Sequence, residues 1–390
     1  MCRRAPIGAC VSEIEFWFVR GSRFAVHGSM IGLAAVVREN ELVRQADRCR
    51  AMGSPFVASV LEAADRQLIR APLTAAKVRN WPGDPAAAAV ALRINGALHA
   101  LARRGAPAYL SELYRREHDD FDGAVATAFT QADQFIADWI RHPTQTNEVA
   151  RTAAIMSALM ATPVARAMPF ELLELGSSCG LNLNLDRYAY TLGSVTAGDP
   201  RSLVRIVPEW RGPPPPARLV SITTARGVDL QPLTVADPAH RERLLSFAWA
   251  DQPARSKRLE KALQVAAQHP PQVDQGHAAT WLADRLAEPQ DAGCCRAVVH
   301  AMVLQYLNTE ERKEIAALMA TAGARASAER PLVWIGFEWT LDRRDVELRL
   351  TFWPTGVSTV LARCHPYGDW LEWLGPDAMA DEFHQGFRPE

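Results

Sequence analysis

Lysine is scarce in this 390-residue chain: it occurs only at positions 77, 257, 261 and 313, so nearly all positive charge is arginine. Lys+Arg at 43 against Asp+Glu at 44 leaves a formal net charge of −1, which removes the electrostatic ground for binding nucleic acid or an anionic membrane. Cysteine is sparse and irregular, with seven residues (2, 10, 49, 179, 294, 295, 364) and no C-x-x-C pair. An odd, scattered set excludes a disulfide framework and a structural zinc site, and it predicts a reducing, cytoplasmic setting. No H-E-x-x-H, no other metal-ligand spacing and no G-x-x-x-x-G-K-S/T phosphate loop is present, so neither a metal nor nucleoside-triphosphate chemistry is expected. Long apolar runs are missing too. The longest uncharged stretches, 25–37 and 153–165, are too short to span a bilayer. Glu13, Glu15, Arg20 and Arg23 break any export-signal core behind Arg3-Arg4. A soluble protein is expected. Residues 1–28 fit poorly with the rest of the chain, and Met30 is the expected start.

The chain is long enough for a sizeable core and two subdomains. From about 30 to 162 it reads as helical. Residues 124–140 are the clearest case, with Val125, Phe129, Ala132, Ile136 and Trp139 on one stripe and His142-Pro143 ending it. Similar spacing covers 92–103 and 149–160, with Gly53-Ser54-Pro55 and Trp81-Pro82-Gly83 as breakers. After Pro163 the texture changes. Strand-like runs at 172–175, 219–223, 297–304, 332–339 and 347–352 alternate with helical segments at 239–250, 255–268, 278–286 and 310–321. Such alternation predicts a largely parallel sheet with helices on both faces.

One element carries most of the chemistry. Residues 170–190 open with an apolar run ending at Gly176, continue through Ser177-Ser178-Cys179-Gly180, and place Leu181, Leu185, Tyr188 and Ala189 at helical spacing. Strand, glycine loop and helix aim free backbone N–H groups and a helix N-terminus at a ligand, with Glu174 expected at the loop mouth. Gly176-x-Ser178-x-Gly180 matches the G-x-S-x-G nucleophile elbow of α/β-hydrolases, with Ser178 as nucleophile, Asp229 or Asp274 as acid and His300 or His365 as base. An elbow needs earlier strands and an oxyanion loop upstream, whereas the upstream residues read as helical and the one His-Gly pair is His27-Gly28. Taken as Glu174-x-Gly176-x-Ser178-x-Gly180, the same residues are similar to the acidic first loop of class I S-adenosylmethionine-dependent methyltransferases, following the first strand. An ordinary strand–turn–helix with nothing bound is the third reading.

Several further segments, Gly53-Ser54-Pro55, Gln145-Thr146-Asn147-Glu148-Val149-Ala150-Arg151, Gly227-Val228-Asp229-Leu230, Trp249-Ala250-Asp251-Gln252, Val298-Val299-His300, Leu304-Gln305-Tyr306-Leu307 and His365-Pro366-Tyr367-Gly368, join the 174–190 element. Together they resemble the bacterial domain of unknown function 2332 family over about residues 30–375. The resemblance implies a methyltransferase-like fold and brings no established substrate.

An α/β nucleotide site places an acid at the end of its second strand to grip ribose hydroxyls. Asp229 fills that place, with Asp199 of Gly198-Asp199-Pro200 as the competitor. Beside the adenine stands His277, in Gly276-His277-Ala278, where an acid is usual. His300, at the end of the fourth strand, is either a general base for a hydroxyl or amine nucleophile or a satisfied near-core histidine. The Asn/Asp-Pro-Pro-aromatic motif of nucleic-acid N-methylation is missing there. Asn147, Glu148 and Arg151 share a helix face and either contact substrate or cap the helix with a surface pair; Tyr306 is a further pocket candidate. Trp339, Trp353, Trp370 and Trp373 are expected in the core. The expected architecture is therefore an extension at 1–28, a helical cap at 29–165 and a Rossmann-like class I methyltransferase domain at 166–390. It would bind S-adenosylmethionine through Glu174, Gly176, Ser178, Gly180, Asp229 and His277 and methylate a small molecule, with no nucleic-acid or membrane partner. The rivals are a serine hydrolase and a non-catalytic ligand-binding protein on a decayed methyltransferase fold.

Overall fold

A computed structural model describes residues 41–375. The expectations for residues 1–28 and for Met30 as a start lie outside the described residues. Within them the chain divides into two compact units. One contains residues 41–146 and 236–260, the other residues 147–235 and 261–375. The division falls at 146/147, earlier than 165, and 236–260 joins the helical unit.

The helical unit holds helices Glu41–Ala51, Pro55–Gln67, Pro72–Arg79, Val90–Arg103, Ala108–Tyr114, Phe121–Trp139 and Pro238–Phe247. The stripe anticipated on the longest helix is buried at Val125, Phe129, Ile136 and Trp139, though Ala132 is a non-helical kink. Gly96 lies where a Cβ would come 2.7 Å from the Phe247 ring, so only glycine lets helices Val90–Arg103 and Pro238–Phe247 approach so closely. Asp251 accepts from the Ser54 hydroxyl and from Phe56 N (3.0 Å), capping helix Pro55–Gln67 from far along the chain.

The α/β unit is built on a nine-stranded, mostly parallel sheet. Its strands in chain order are β1 (Phe170–Leu175), β2 (Ala189–Leu192), β3 (Val195–Gly198), β4 (Arg205–Ile206), β5 (Glu209–Arg211), β6 (Ile222–Asp229), β7 (Gln272–Gln275), β8 (Cys295–Ala301), β9 (Leu332–Trp339), β10 (Val346–Trp353), β11 (Val357–Cys364) and β12 (Trp370–Trp373). The sheet order is β5-β12-β11-β10-β9-β8-β1-β6-β7, while β3-β2-β4 form a small second sheet. From β9 through β7 every pairing is parallel, and β9 to β12 run as an antiparallel meander. β8 is buried through Cys295–His300, with apolar Ala297-Val298-Val299 at its middle as suits a strand inside a parallel sheet, and its buried Arg296 pairs with Glu171.

One face of the sheet packs Leu173, Leu175, Val228 and Val298 against Trp281, Leu282 and Leu286 of helix Ala278–Ala287 and Ile315 and Met319 of helix Thr309–Gly323. Helix Thr152–Ala161, buried all round, packs on β9, β10 and β11. Of the four tryptophans expected in the core, Trp353 and Trp373 are buried and Trp339 and Trp370 are half-buried.

Two elements differ from expectation. The second parallel strand runs over Ile222–Asp229 instead of 219–223. It has no apolar run to announce it, because only its Gly227-Val228 end is buried. The segment after the glycine loop is no α-helix: Leu181–Arg187 is a 3-10 segment with a non-helical Asn184, and Ala189 already starts β2. Two buried tyrosines tie into this segment: Tyr188 Oη donates to Leu181 O at 2.6 Å and Tyr190 Oη to Leu185 O at 2.7 Å. The apolar spacing at 181, 185, 188 and 189 reflects core packing instead.

Candidate functional site

β1, β6 and β8 end side by side: Leu175 pairs with Val228 and with His300. Within the large sheet the chain passes from β1 to β6 on one side and from β8 to β9 on the other, so β1 and β8 flank a switch point, the place where open α/β sheets bind ligands. The loop 176–180 leaves this edge. Gly176 (φ +68°) and Gly180 (φ +72°) have left-handed backbones, and both are closely packed. A Cβ would come 2.5 Å from Val303 Cγ2 at Gly176 and 2.5 Å from Pro271 Cβ at Gly180. Ser178 takes the same backbone region at φ +54° without being glycine.

Ser178 is held from three sides. Its N–H donates to Asp229 Oδ2 at 2.8 Å, its carbonyl accepts from Leu233 N at 3.2 Å, and its hydroxyl accepts from Asn147 Nδ2. Asp229 Oδ1 also accepts from Gln231 N at 2.9 Å. Among the described residues no histidine is hydrogen-bonded to Ser178. His300 pairs with Glu338 and His365 with Asp369. Cys179 is buried, which pushes its thiol up to about 12 and keeps it protonated at neutral pH.

Glu174 is not at an open mouth but 2% exposed. Its Oε1 accepts from Asn182 Nδ2 at 2.8 Å, whereas Oε2, like Asn182 Oδ1, is buried without a hydrogen-bond partner. Desolvation raises the Glu174 pKa to about 7, opposed by the Asn182 and Ser177 side chains and reinforced by the nearby Asp229 charge. Glu174 pairs with Gly227 and Val299, so it shares their face of the sheet. His300 pairs with Leu175 and therefore lies on the opposite face. Gly227 carries no side chain because the Ser177 hydroxyl fills the space a Cβ would need.

A family model matches residues 39–373. The chain belongs to that family, described as an uncharacterized protein conserved in bacteria (DUF2332). No curated protein and no solved structure matches it.

The other candidates of this DUF2332 protein are spread more widely. His277 is exposed at the N-cap position of helix Ala278–Ala287 and makes no side-chain cap, while Gly276 N ties its strand end to Asp229 O at 3.0 Å. Asp199 closes its own turn by accepting from Arg201 N at 2.9 Å. Of the 145–151 group, Asn147 reaches the loop. Glu148 is buried and caps the 3-10 turn Val149–Arg151 through Ala150 N. Arg151 Nε donates to Pro366 O at 2.9 Å, and Gly368 leaves no room for a Cβ beside Ala150. Tyr306 is 56% exposed just beyond β8.

Two residues of this edge were missed from the sequence, Asn182 and Glu338. Asn182 gave no signal. Glu338, a single carboxylate inside the apolar strand Leu332–Trp339, did give one, because a buried acid requires a partner. Among the described residues no helix is long and apolar enough to cross a membrane, and no group of three or more His, Cys, Asp or Glu could hold a metal ion.

Proposed function

We propose that the chain binds S-adenosylmethionine over the carboxyl ends of β1 and β6 and methylates a small molecule on a Rossmann-like methyltransferase fold. The parallel strands β7-β6-β1-β8-β9, numbered among themselves in chain order, read 3-2-1-4-5, the doubly wound nucleotide-binding order. The observation that carries the proposal is the unpartnered Glu174 Oε2, buried one residue before the end of β1 near the Asp229 carboxylate.

The residues fit the donor groups of this cofactor. Glu174 supplies an acceptor for its ammonium, and Asp229, half-buried at the end of β6, supplies one for ribose hydroxyls. Exposed His277, beyond β7, is the residue for the adenine. The cofactor's carboxylate meets no α-helix N-terminus, since Leu181–Arg187 is a 3-10 segment. Gly176 and Gly180 serve the fit indirectly, by letting Val303 and Pro271 brace the loop. When bound, the cofactor supplies an electrophilic methyl group, and the protein's share is positioning.

Calorimetric titration with S-adenosylmethionine and with its demethylated product tests this. Binding of both is expected, and no binding of either at millimolar concentration sinks it. Transfer of a labelled methyl group then separates an enzyme from a non-catalytic binder. One observation favours a serine hydrolase, the left-handed backbone of Ser178. Covalent labelling of Ser178 by a fluorophosphonate would establish that alternative.

A further inference from the structure

His300 and Glu338 form a buried pair, 2% and 3% exposed, with Nδ1 and Oε1 2.8 Å apart. The same Oε1 accepts from Val303 N at 2.8 Å and Leu304 N at 3.2 Å. An oxygen receiving two backbone N–H groups is fixed as an acceptor, so its third partner must donate. In the neutral ring, Nδ1 therefore carries the hydrogen and Nε2 the lone pair. Nε2 makes no hydrogen bond to the protein among the described residues. The residue beside it is Gly336, where a Cβ would lie 3.2 Å from Nε2 and 2.9 Å from Cε1. Val303 links this pair to the loop of the candidate site, since its side chain packs on Gly176.

We propose that Glu338 is a positioning residue that holds His300 with Nε2 as a proton acceptor, and that the acceptor substrate is a hydroxyl compound of the phenol or alcohol class. In the step, the substrate O–H bond breaks, its electron pair stays on oxygen and the proton goes to Nε2. The imidazolium so formed is balanced by the Glu338 carboxylate. A hydroxyl is a weak nucleophile until deprotonated and reaches the buried ring as a neutral donor, whereas an alkylamine would have to bring its ammonium charge out of water. The proposal rests on the methyltransferase reading for its chemistry and on the hydrogen-bond geometry alone for the proton.

Nitrogen-15 NMR of the full-length protein, with His300 assigned through its loss in His300→Gln, tests the pair directly. A ring protonated at Nδ1 and bare at Nε2 is expected; the opposite tautomer overturns the proposal. Glu338→Gln keeps an acceptor oxygen under the two backbone N–H groups and should retain that pattern. Glu338→Met fills similar space without an acceptor and should mix the tautomers, a change that a packing role would not produce. An unchanged tautomer in Glu338→Met removes the positioning role. Phenol, titrated to millimolar concentration, is the probe of substrate class. It should shift the Nε2 signal in the parent protein and not in Gly336→Ala. No shift in the parent, or an equal shift in Gly336→Ala, overturns the hydroxyl assignment. None of these measurements uses S-adenosylmethionine, so failure here and failure of the cofactor titration are distinguishable.

Discussion

The backbone N–H of Ser178 donates to the Asp229 carboxylate at 2.8 Å, which fixes the loop after the first strand to the end of the second. The same carboxylate accepts from Gln231 N, so one side chain organises both strand ends. Asp229→Ala leaves those two N–H groups without their acceptor in a half-buried place, at a cost of about 1–3 kcal/mol. Thermal unfolding should register that loss, and calorimetry should show S-adenosylmethionine affinity falling at least tenfold. A variant that keeps full affinity would remove Asp229 from the proposed cofactor site.

Ser178 stands where the glycine-spaced loop tolerates a left-handed backbone, a conformation costing about 1–2 kcal/mol for a residue with a Cβ. Ser178→Gly relieves that strain and loses the hydroxyl that Asn147 bonds, and these effects oppose each other. The expected result is a melting temperature within a few degrees of the parent and retained S-adenosylmethionine binding. A serine hydrolase predicts something different: abolished turnover of activated esters, with the fold intact. Assaying both properties on one variant separates the two chemistries.

Burial holds the Glu174 pKa near 7 in the folded chain against an ordinary 4.5. An acid whose folded pKa is raised favours folding fully at pH below about 4.5, and that favour is lost as pH rises through about 7, because the unfolded chain releases its proton first. The loss amounts to roughly 3 kcal/mol. Urea unfolding of the parent should therefore show stability falling between pH 5 and pH 8, and Glu174→Gln should lack that component. Parallel curves for parent and variant would contradict a buried, protonated carboxyl. A bound ammonium group would reverse the preference for the acid, so cofactor binding at pH 6 should release protons. Calorimetry in two buffers of different ionisation enthalpy measures that release.

The parallel strands with apolar runs were legible in the sequence: residues 332–339 and 172–175 read as strands because burial on both faces favours apolar side chains at most positions, with Glu338 and Glu174 as the exceptions. β6 was displaced in the sequence reading, since a strand buried only at its end carries no such run. The strands beyond β9 were partly hidden for the same reason. The first half of β11 is half-buried, and β5 and β12 are three and four residues long. At the candidate site, Glu174 and Asp229 were picked out as candidates by spacing along the chain. Glu338 was not, because its partner His300 lies 38 residues away and meets it only through the parallel pairing of β8 and β9. The 3-10 segment was unreadable for a different cause. Its apolar spacing is helical, yet the residues at that spacing are buried in the core from a 3-10 segment and the start of β2.

Asp251 and Ser54 carry the last prediction. Helix Pro55–Gln67 starts at a fully buried Ser54 whose side chain caps nothing of its own helix. Asp251 takes over that role, accepting from the Ser54 hydroxyl and from Phe56 N. Removing the carboxylate in Asp251→Ala leaves a buried hydroxyl and a buried N–H without an acceptor, a cost of about 2–4 kcal/mol from two such groups. Asp251→Asn keeps one acceptor oxygen and should lose about half as much. Hydrogen exchange followed by mass spectrometry localises the effect. Amides at 56–67 should exchange faster in Asp251→Ala, while those of Phe170–Leu175 keep their protection. Equal loss of protection in both segments would mean that Asp251 stabilises more of the chain than the helix it caps.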